Sequence, residues 1–245
     1  MVKYTKEGNI RIIELEHVPV SEPLWGEFLF SFDEVMNEVA EDRETSVVVM
    51  AAAEGALDLT EVIPLLDYEL YPSLTATVSR LPSPLITAAG GNIAGPGLEL
   101  FLVGDIRVAS VDSLFSLPQV SLGFLPHDGG TQRLPRLVGR TKASEMLLTG
   151  MSLKDQEALR YGLVHRLYPP ETVKDEALKL ARNLSIQAPF ALKFAKEAIT
   201  RGLELPLAEA LRMEADLYFL LHTTEDRKEG ITAFRERRKP RFLGK

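Results

Sequence analysis

The chain has no cysteine. That absence removes disulfides, thiolate metal sites and a cysteine nucleophile, and it fits a reducing compartment. Long apolar runs are also missing. No stretch reaches the roughly 18 residues that a membrane span needs, and the N-terminus MVKYTKEGNIRIIELEHV has no apolar core of secretory-signal type. Both absences point to a cytoplasmic protein. Positive charge is scarce: 28 Lys and Arg stand against 35 Asp and Glu, a net charge of −7. This helps solubility and argues against a nucleic-acid-binding surface. Low-complexity tracts and Gly/Ser linkers are absent too, so nothing marks a boundary between independent domains.

What is present reads as an ordinary globular chain, 245 residues long and 45% hydrophobic. Its charge is unevenly spread. Residues 226–245, DRKEGITAFRERRKPRFLGK, are strongly basic, so an anionic ligand is expected to meet the C-terminus. "NIRIIELE" alternates like a strand, "PLWGEFLFSFDEVMNEVAED" has helical spacing, and "SVVVMAAA" is a β-branched run suited to a buried strand. "LPSPLITAAGGNI" reads as strand and turn, "PGLELFLVGD" as helix, and "IRVAS" and "SLFSLP" as short strands, together an α/β core. From Gly139 onward the pattern turns helical. Gly150 and Gly162 read as C-caps, Ser152 as an N-cap, and two further helices open near a proline. A last helix runs to about Thr223. Such a helical tail suits packing on a neighbouring subunit.

Two stretches could carry chemistry. In "GNIAGPGLELFLVGD", Gly91 to Asp105, the run Gly95–Glu99 places a carboxylate in the first turn of a helix whose N-terminus would face a site. That geometry suits an oxyanion. It equally suits a tight strand-to-helix turn in which Glu99 only complements the helix dipole. Pro96 is comfortable at the first helical position but has no N–H to donate. The second stretch, "SLFSLPQVSLGFLPHDGGTQRLPRLVGRTKASEMLLTG", has its own Gly-Gly helix entry beside Pro126, His127 and Asp128.

Together with the tail "DRKEGITAFRERRKPRF", and above all through "GGTQRLPRLVG", the chain from about Leu81 to its end resembles the enoyl-CoA hydratase/isomerase (crotonase) family. Before Leu81 the likeness is weak, with "HVPVSEPLWGEFL" where the family carries an Asn-Arg-Pro…Asn-Ala-Leu signature. The resemblance implies an α/β fold, a crotonase-like spiral of ββα units over residues 1–185, followed by a helical trimerisation region over 186–245. It implies a homotrimer or homohexamer with an acyl-CoA thioester substrate and no cofactor beyond that coenzyme A. No nucleic-acid or membrane partner is expected. The thioester carbonyl would lie between two backbone N–H groups while carboxylates move protons or activate water.

Carried over residue by residue, the family's Gly-Gly-Gly-x-Glu falls on Gly95-Pro96-Gly97-Leu98-Glu99, so the usual second oxyanion donor falls on Pro96. The first falls in "EGALD", on Gly55 or Ala56, with Asp58 as the loop's aspartate and a coenzyme A contact. The first hydratase glutamate is Glu99, and the second becomes Gln119, which can hold a water but cannot act as a general base. His127 falls where some family members carry an aspartate; it reads as an acid/base group or as a surface histidine. Asp128 reads as a helix N-terminal charge, and His17, His165 and His222 as structural. Tyr218 and Arg237 match an adenine-stacking ring and a phosphate-binding cation, with a solvated basic helix end as the plainer reading of Arg237. Acyl selectivity would rest on a pocket wall within residues 56–75. Three readings stay open: an enoyl-CoA hydratase or double-bond isomerase, a catalytically degenerate CoA-ester-binding paralogue or partner subunit, and another CoA reaction such as thioester hydrolysis.

Overall fold

The β-branched run at Val47–Val49 forms the middle of the larger sheet. In the computed structural model, which describes residues 2–65 and 71–245, strand β3 (Val47–Ala52) lies between β2 (Ile10–Leu15) and β4 (Leu85–Ala89), parallel to both. Ile10 stands opposite Val47, and Val48 opposite Leu85. Strand β1 (Val2–Glu7) adds an antiparallel edge, while β6 (Ile106–Ser110) and β9 (Arg166–Tyr168) extend the other side in parallel. The order is β1-β2-β3-β4-β6-β9. Central strands covered on both faces read as continuous apolar runs, which is how β3 and β4 are written.

Helix α1 (Leu24–Glu41) covers one face. Trp25 stacks on Phe28 at 5.7 Å and Phe28 on Phe32 at 5.8 Å, and all three are buried in the large core. Helix α5 (Val173–Ser185) covers the other face, burying Val173, Ala177 and Ala181 against Val47, Val49 and Val108. A valine fully buried in this way contributes about 1.5–3 kcal/mol. A small second sheet, β5 (Asn92–Ala94), β7 (Leu114–Ser116) and β8 (Leu153–Lys154), stands beside the first. Between the two sheets sits α2 (Pro96–Phe101), buried along its whole length.

The chain then forms α3 (Gly130–Thr149), kinked at Gly139, and α4 (Asp155–Tyr161). After α5 come α6 (Pro189–Gly202), α7 (Leu207–Leu221) and α8 (Glu225–Glu236). Helices α6 and α7 pack on each other and leave Leu203, Leu207, Leu211 and Phe219 exposed. Among the described residues no helix is long and apolar enough to cross a membrane.

Several sequence expectations are corrected. The region after Gly139 is not purely helical, because β8 and β9 lie within it. Ser152 does not cap α4. Leu153 pairs with Phe115 in the small sheet, so the helix starts later and Lys154 takes the cap position. The basic tail contains α8, capped by Thr224, whose hydroxyl accepts the Arg227 N–H at 3.3 Å. Buried Asp226 anchors the end of the chain by accepting N–H groups from Leu243 (2.7 Å) and Gly244 (2.8 Å). Of the expected pocket wall at 56–75, residues 66–70 lie outside the described residues.

Gly97 fixes how α2 meets the loop that follows β3. A Cβ there would stand 2.0 Å from the Leu57 carbonyl oxygen, a backbone atom with nowhere to go. Gly97→Ala is therefore expected to destabilise the protein by roughly 1–3 kcal/mol, read as a lower urea midpoint at unchanged slope. An unchanged midpoint would show that the Leu57 segment yields freely.

Candidate active site

Helix α2 carries Glu99 into the interior, where the residue is 1% exposed. Its two carboxyl oxygens are held by two other parts of the chain. Oε1 accepts the Gly130 N–H at 2.7 Å, and Oε2 accepts Gln119 Nε2–H at 3.1 Å. Gly130 is the first residue of α3, so the carboxyl also caps that helix. A side chain at 130 would crowd the site, with its Cβ 3.1 Å from Glu99 Oε1 and 3.0 Å from both Leu117 and Pro126.

Two effects compete over the charge of Glu99. Burial is the larger and pushes the carboxyl up to about 7. The Gly130 N–H opposes it, as do the backbone N–H groups of Asp128 and His127, while the Asp128 charge adds to the rise. A carboxyl poised there is half-ionised near neutrality and can both take and return a proton.

Gln119 lies in the 3-10 turn Pro118–Leu122 and is 1% exposed. With its amide N–H₂ turned toward Glu99, its carbonyl oxygen Oε1 is buried and has no partner among the described residues. A buried orphan acceptor costs on the order of 1–3 kcal/mol.

Of the two readings of His127, its exposure favours the surface one. It is exposed on the loop, and the buried group beside it is Asp128. The Asp128 carboxylate accepts the Ser73 hydroxyl, and its backbone carbonyl accepts Thr75 Oγ1 at 2.9 Å and Arg133 Nη1 at 2.5 Å. Arg133 is itself largely buried, its guanidinium pushed down by desolvation and held up by Asp128 and Glu99. Sequence reading had no signal for this, since burial of a loop aspartate depends on distant Ser73 and Thr75.

Both N–H groups expected as the first oxyanion donor are already used within the fold. The Gly55 N–H is spent on Gly90 O at 2.9 Å and the Ala56 N–H on Ala53 O at 3.0 Å. The next residue, Leu57, has an N–H that makes no hydrogen bond among the described residues. Its carbonyl accepts from Ala94 N and rests against Gly97 Cα. On α2, Pro96 has no N–H, and the N–H groups of Leu98 and Glu99 both go to Gly95 O. Gly97 N–H is left without a partner among the described residues. Two neighbouring backbone donors, Leu57 and Gly97, thus remain at this corner.

The Asp58 carboxylate braces its loop, accepting Thr60 Oγ1 at 2.9 Å and Asn92 Nδ2 at 3.3 Å. Tyr218 is 56% exposed and packs on His222 at 4.8 Å, beside an apolar cavity lined by Phe190, Leu221 and Phe242. Arg237 closes α8 in a left-handed conformation and makes no ion pair among the described residues. Its neighbour Arg238 is occupied by Glu229 and Glu236 and so is no substitute for it. One turn ahead of Arg237 stands Phe234, 84% exposed, its carbonyl accepting the Arg237 N–H. Sequence reading passed over that ring in favour of Tyr218. Among the described residues no cluster of His, Asp or Glu could hold a metal ion.

Comparison with known proteins finds likeness over nearly the whole chain. A family model described as enoyl-CoA hydratase/isomerase matches residues 5–245, so the likeness extends well before Leu81. The 2,3-dehydroadipyl-CoA hydratase of Escherichia coli is 42% identical over 174 residues, covering 71% of this chain and 68% of the relative. The short-chain-enoyl-CoA hydratase of Clostridium acetobutylicum is 33% identical, covering 96% of this chain and 94% of the relative. Among solved structures, an enoyl-CoA hydratase from Bacillus anthracis superposes with a TM-score of 0.86 at 28% identity, covering 100% of this chain and 99% of the other.

The raised carboxyl has a stability consequence. An unfolded Glu titrates near 4.5, and the folded group only at about 7. Folding therefore favours the protonated form, and this contribution is lost as pH rises from 4.5 through 7. Glu99→Gln removes the charge, and a rotated Gln119 can accept from the new amide. The variant is expected to be more stable than wild type at pH 8 by roughly 1–3 kcal/mol and close to it at pH 5. Denaturant titrations at both pH values check this; equal differences would place the Glu99 titration elsewhere.

Proposed function

We infer the reaction from the premise that this chain belongs to the enoyl-CoA hydratase/isomerase family. Its ligand class is an acyl-CoA thioester. Within that class we propose hydration of a 2-enoyl-CoA, carried by one carboxyl, Glu99, with Gln119 positioning the water. The observation behind this is the buried Glu99–Gln119 pair, in which the amide donates to the acid and keeps its own carbonyl oxygen free.

A water held beside this pair would give one hydrogen to a Glu99 carboxylate oxygen and the other to the free Gln119 Oε1. Ionised Glu99 takes the first proton as the water oxygen bonds to C3 of the enoyl group. The electrons move to the thioester oxygen, which the N–H groups of Leu57 and Gly97 receive as it becomes an oxyanion. Glu99 then gives its proton to C2. Water has been added across the double bond and the carboxylate is restored. A single group can serve in both steps because its proton affinity is matched to neutral pH.

Outside the reacting centre, we assign the coenzyme A phosphates to Arg237 and its adenine to Phe234 rather than Tyr218. The unpaired guanidinium and the solvent-facing ring one turn apart support this. The exposed apolar residues of α6 and α7 support a trimer or hexamer.

The test is the ultraviolet absorbance of crotonyl-CoA and longer 2-enoyl-CoA esters on adding the protein. Absorbance should fall with wild type and stay constant with Glu99→Gln. Wild-type kcat/KM should decline as pH drops below about 7, because the base form of Glu99 is lost. No fall with any chain length would leave a CoA-ester-binding protein that does not hydrate.

Pro96 gives a second test. If Gly97 N–H already serves the oxyanion, Pro96→Gly adds a redundant donor and raises kcat less than tenfold. A gain of about 10²–10³, the usual value of one such donor, would mean that Gly97 does not reach the oxygen.

A further inference from the structure

Among the described residues, Asp128 is the buried carboxylate near Glu99 to which the reaction gives no task. It is 5% exposed, and its side chain is bound by the hydroxyl of Ser73, far away in sequence. Its main chain is clasped from two sides, by Thr75 Oγ1 and by Arg133 Nη1. Two residues on, Gly130 delivers the N–H that holds Glu99 Oε1 at 2.7 Å. The turn from His127 to Gly130 therefore touches Glu99 with its backbone and is anchored by Asp128 from behind.

We propose that Asp128 is a positioning residue for Glu99 in two ways, tethering the 127–130 turn through Ser73 and Thr75 so that the carboxyl stays seated against Gln119, and setting a negative charge beside it. This rests on the hydratase reading for its kinetic consequences, though not for its physical ones. Burying two carboxyls close together is costly, and a structural brace alone needs no charge. An amide oxygen at 128 would still accept the Ser73 hydroxyl, less strongly than a carboxylate does. What an amide cannot do is repel a negative charge on Glu99.

Among the described residues, the charged and titratable groups facing Glu99 are Asp128 and Arg133, from the entry to α3 and its first turns, with His127 contributing its backbone. From the 118–122 turn comes only the neutral amide of Gln119. Asp128 and Arg133 act in opposite senses on the acid. Removing the Asp128 charge leaves Arg133 unopposed, so Glu99 gives up its proton more easily.

The experiment is a carbon-13 titration of glutamate-labelled protein without substrate, with the Glu99 carboxyl signal identified by its loss in Glu99→Gln. In Asp128→Asn the Glu99 midpoint is expected to fall by about half a pH unit or more, and an unchanged midpoint overturns the proposal. With crotonyl-CoA, the acid limb of kcat/KM should move to lower pH by the same amount, with KM changed less than kcat. Ser73→Ala leaves every charge in place and covers the case where Asp128→Asn does not fold. It is expected to lower kcat severalfold at unchanged KM, and wild-type kcat would overturn the tether. A shifted titration in a protein that hydrates nothing would sustain the positioning role and sink the reaction instead.

Discussion

One buried carboxyl joins three separate pieces of this chain. Glu99 leaves α2, accepts from the amide of Gln119 in the 118–122 turn, and caps α3 through the Gly130 N–H. Its seat explains features that look unrelated in the sequence. Gly130 must be bare because the acid lies 3.1 Å from where its Cβ would be. Gly97 must be bare because α2 can carry Glu99 to that depth only by lying against the Leu57 carbonyl. The helix dipole and N–H donors draw Glu99 toward ionisation, and burial holds it back. Neither wins outright, and a group left near balance at neutral pH is the one suited to shuttling protons.

A glutamine beside that acid changes the chemistry more than the geometry. Two neighbouring carboxyls divide the tasks of base and acid by splitting their proton affinities. An amide neighbour cannot take a proton, but it donates to one group and accepts from another at once. The work then falls on a single acid, and its proton affinity has to be tuned from outside the pair. In this fold the outside influences are desolvation, a helix N-terminus and the nearby Asp128 and Arg133.

The parts of the fold legible in the sequence were those with strong apolar pattern. β3, β4, α1, α6 and α7 announce themselves by β-branched runs or helical spacing. β8 and β9 are too short to show a period, and β1 and α8 are too polar, so tertiary pairing and a cap define them. Within the site, Glu99 and Gln119 could be read from local motif because short-range chain geometry places them. Leu57 was missed by one residue, because which N–H remains free depends on bonds to Gly90 and Ala53. That His127 is the exposed member of its pair and Asp128 the buried one was hidden for a related reason. Neighbours in a loop point to opposite sides, and only packing against Ser73 and Thr75 decides which is inside.

Trp25, stacked on Phe28 beneath the sheet, is the only indole in the chain. Its emission therefore comes from one place, the seat of α1 in the larger core. Far-ultraviolet dichroism, by contrast, averages over all the helices, including α6 to α8 at the other end of the chain. Denaturation followed by the two signals will superimpose only if the sheet core and the C-terminal helices melt as one unit. If the helical end loosens first, dichroism will fall while the indole stays dark to solvent, and no label need be introduced to see it.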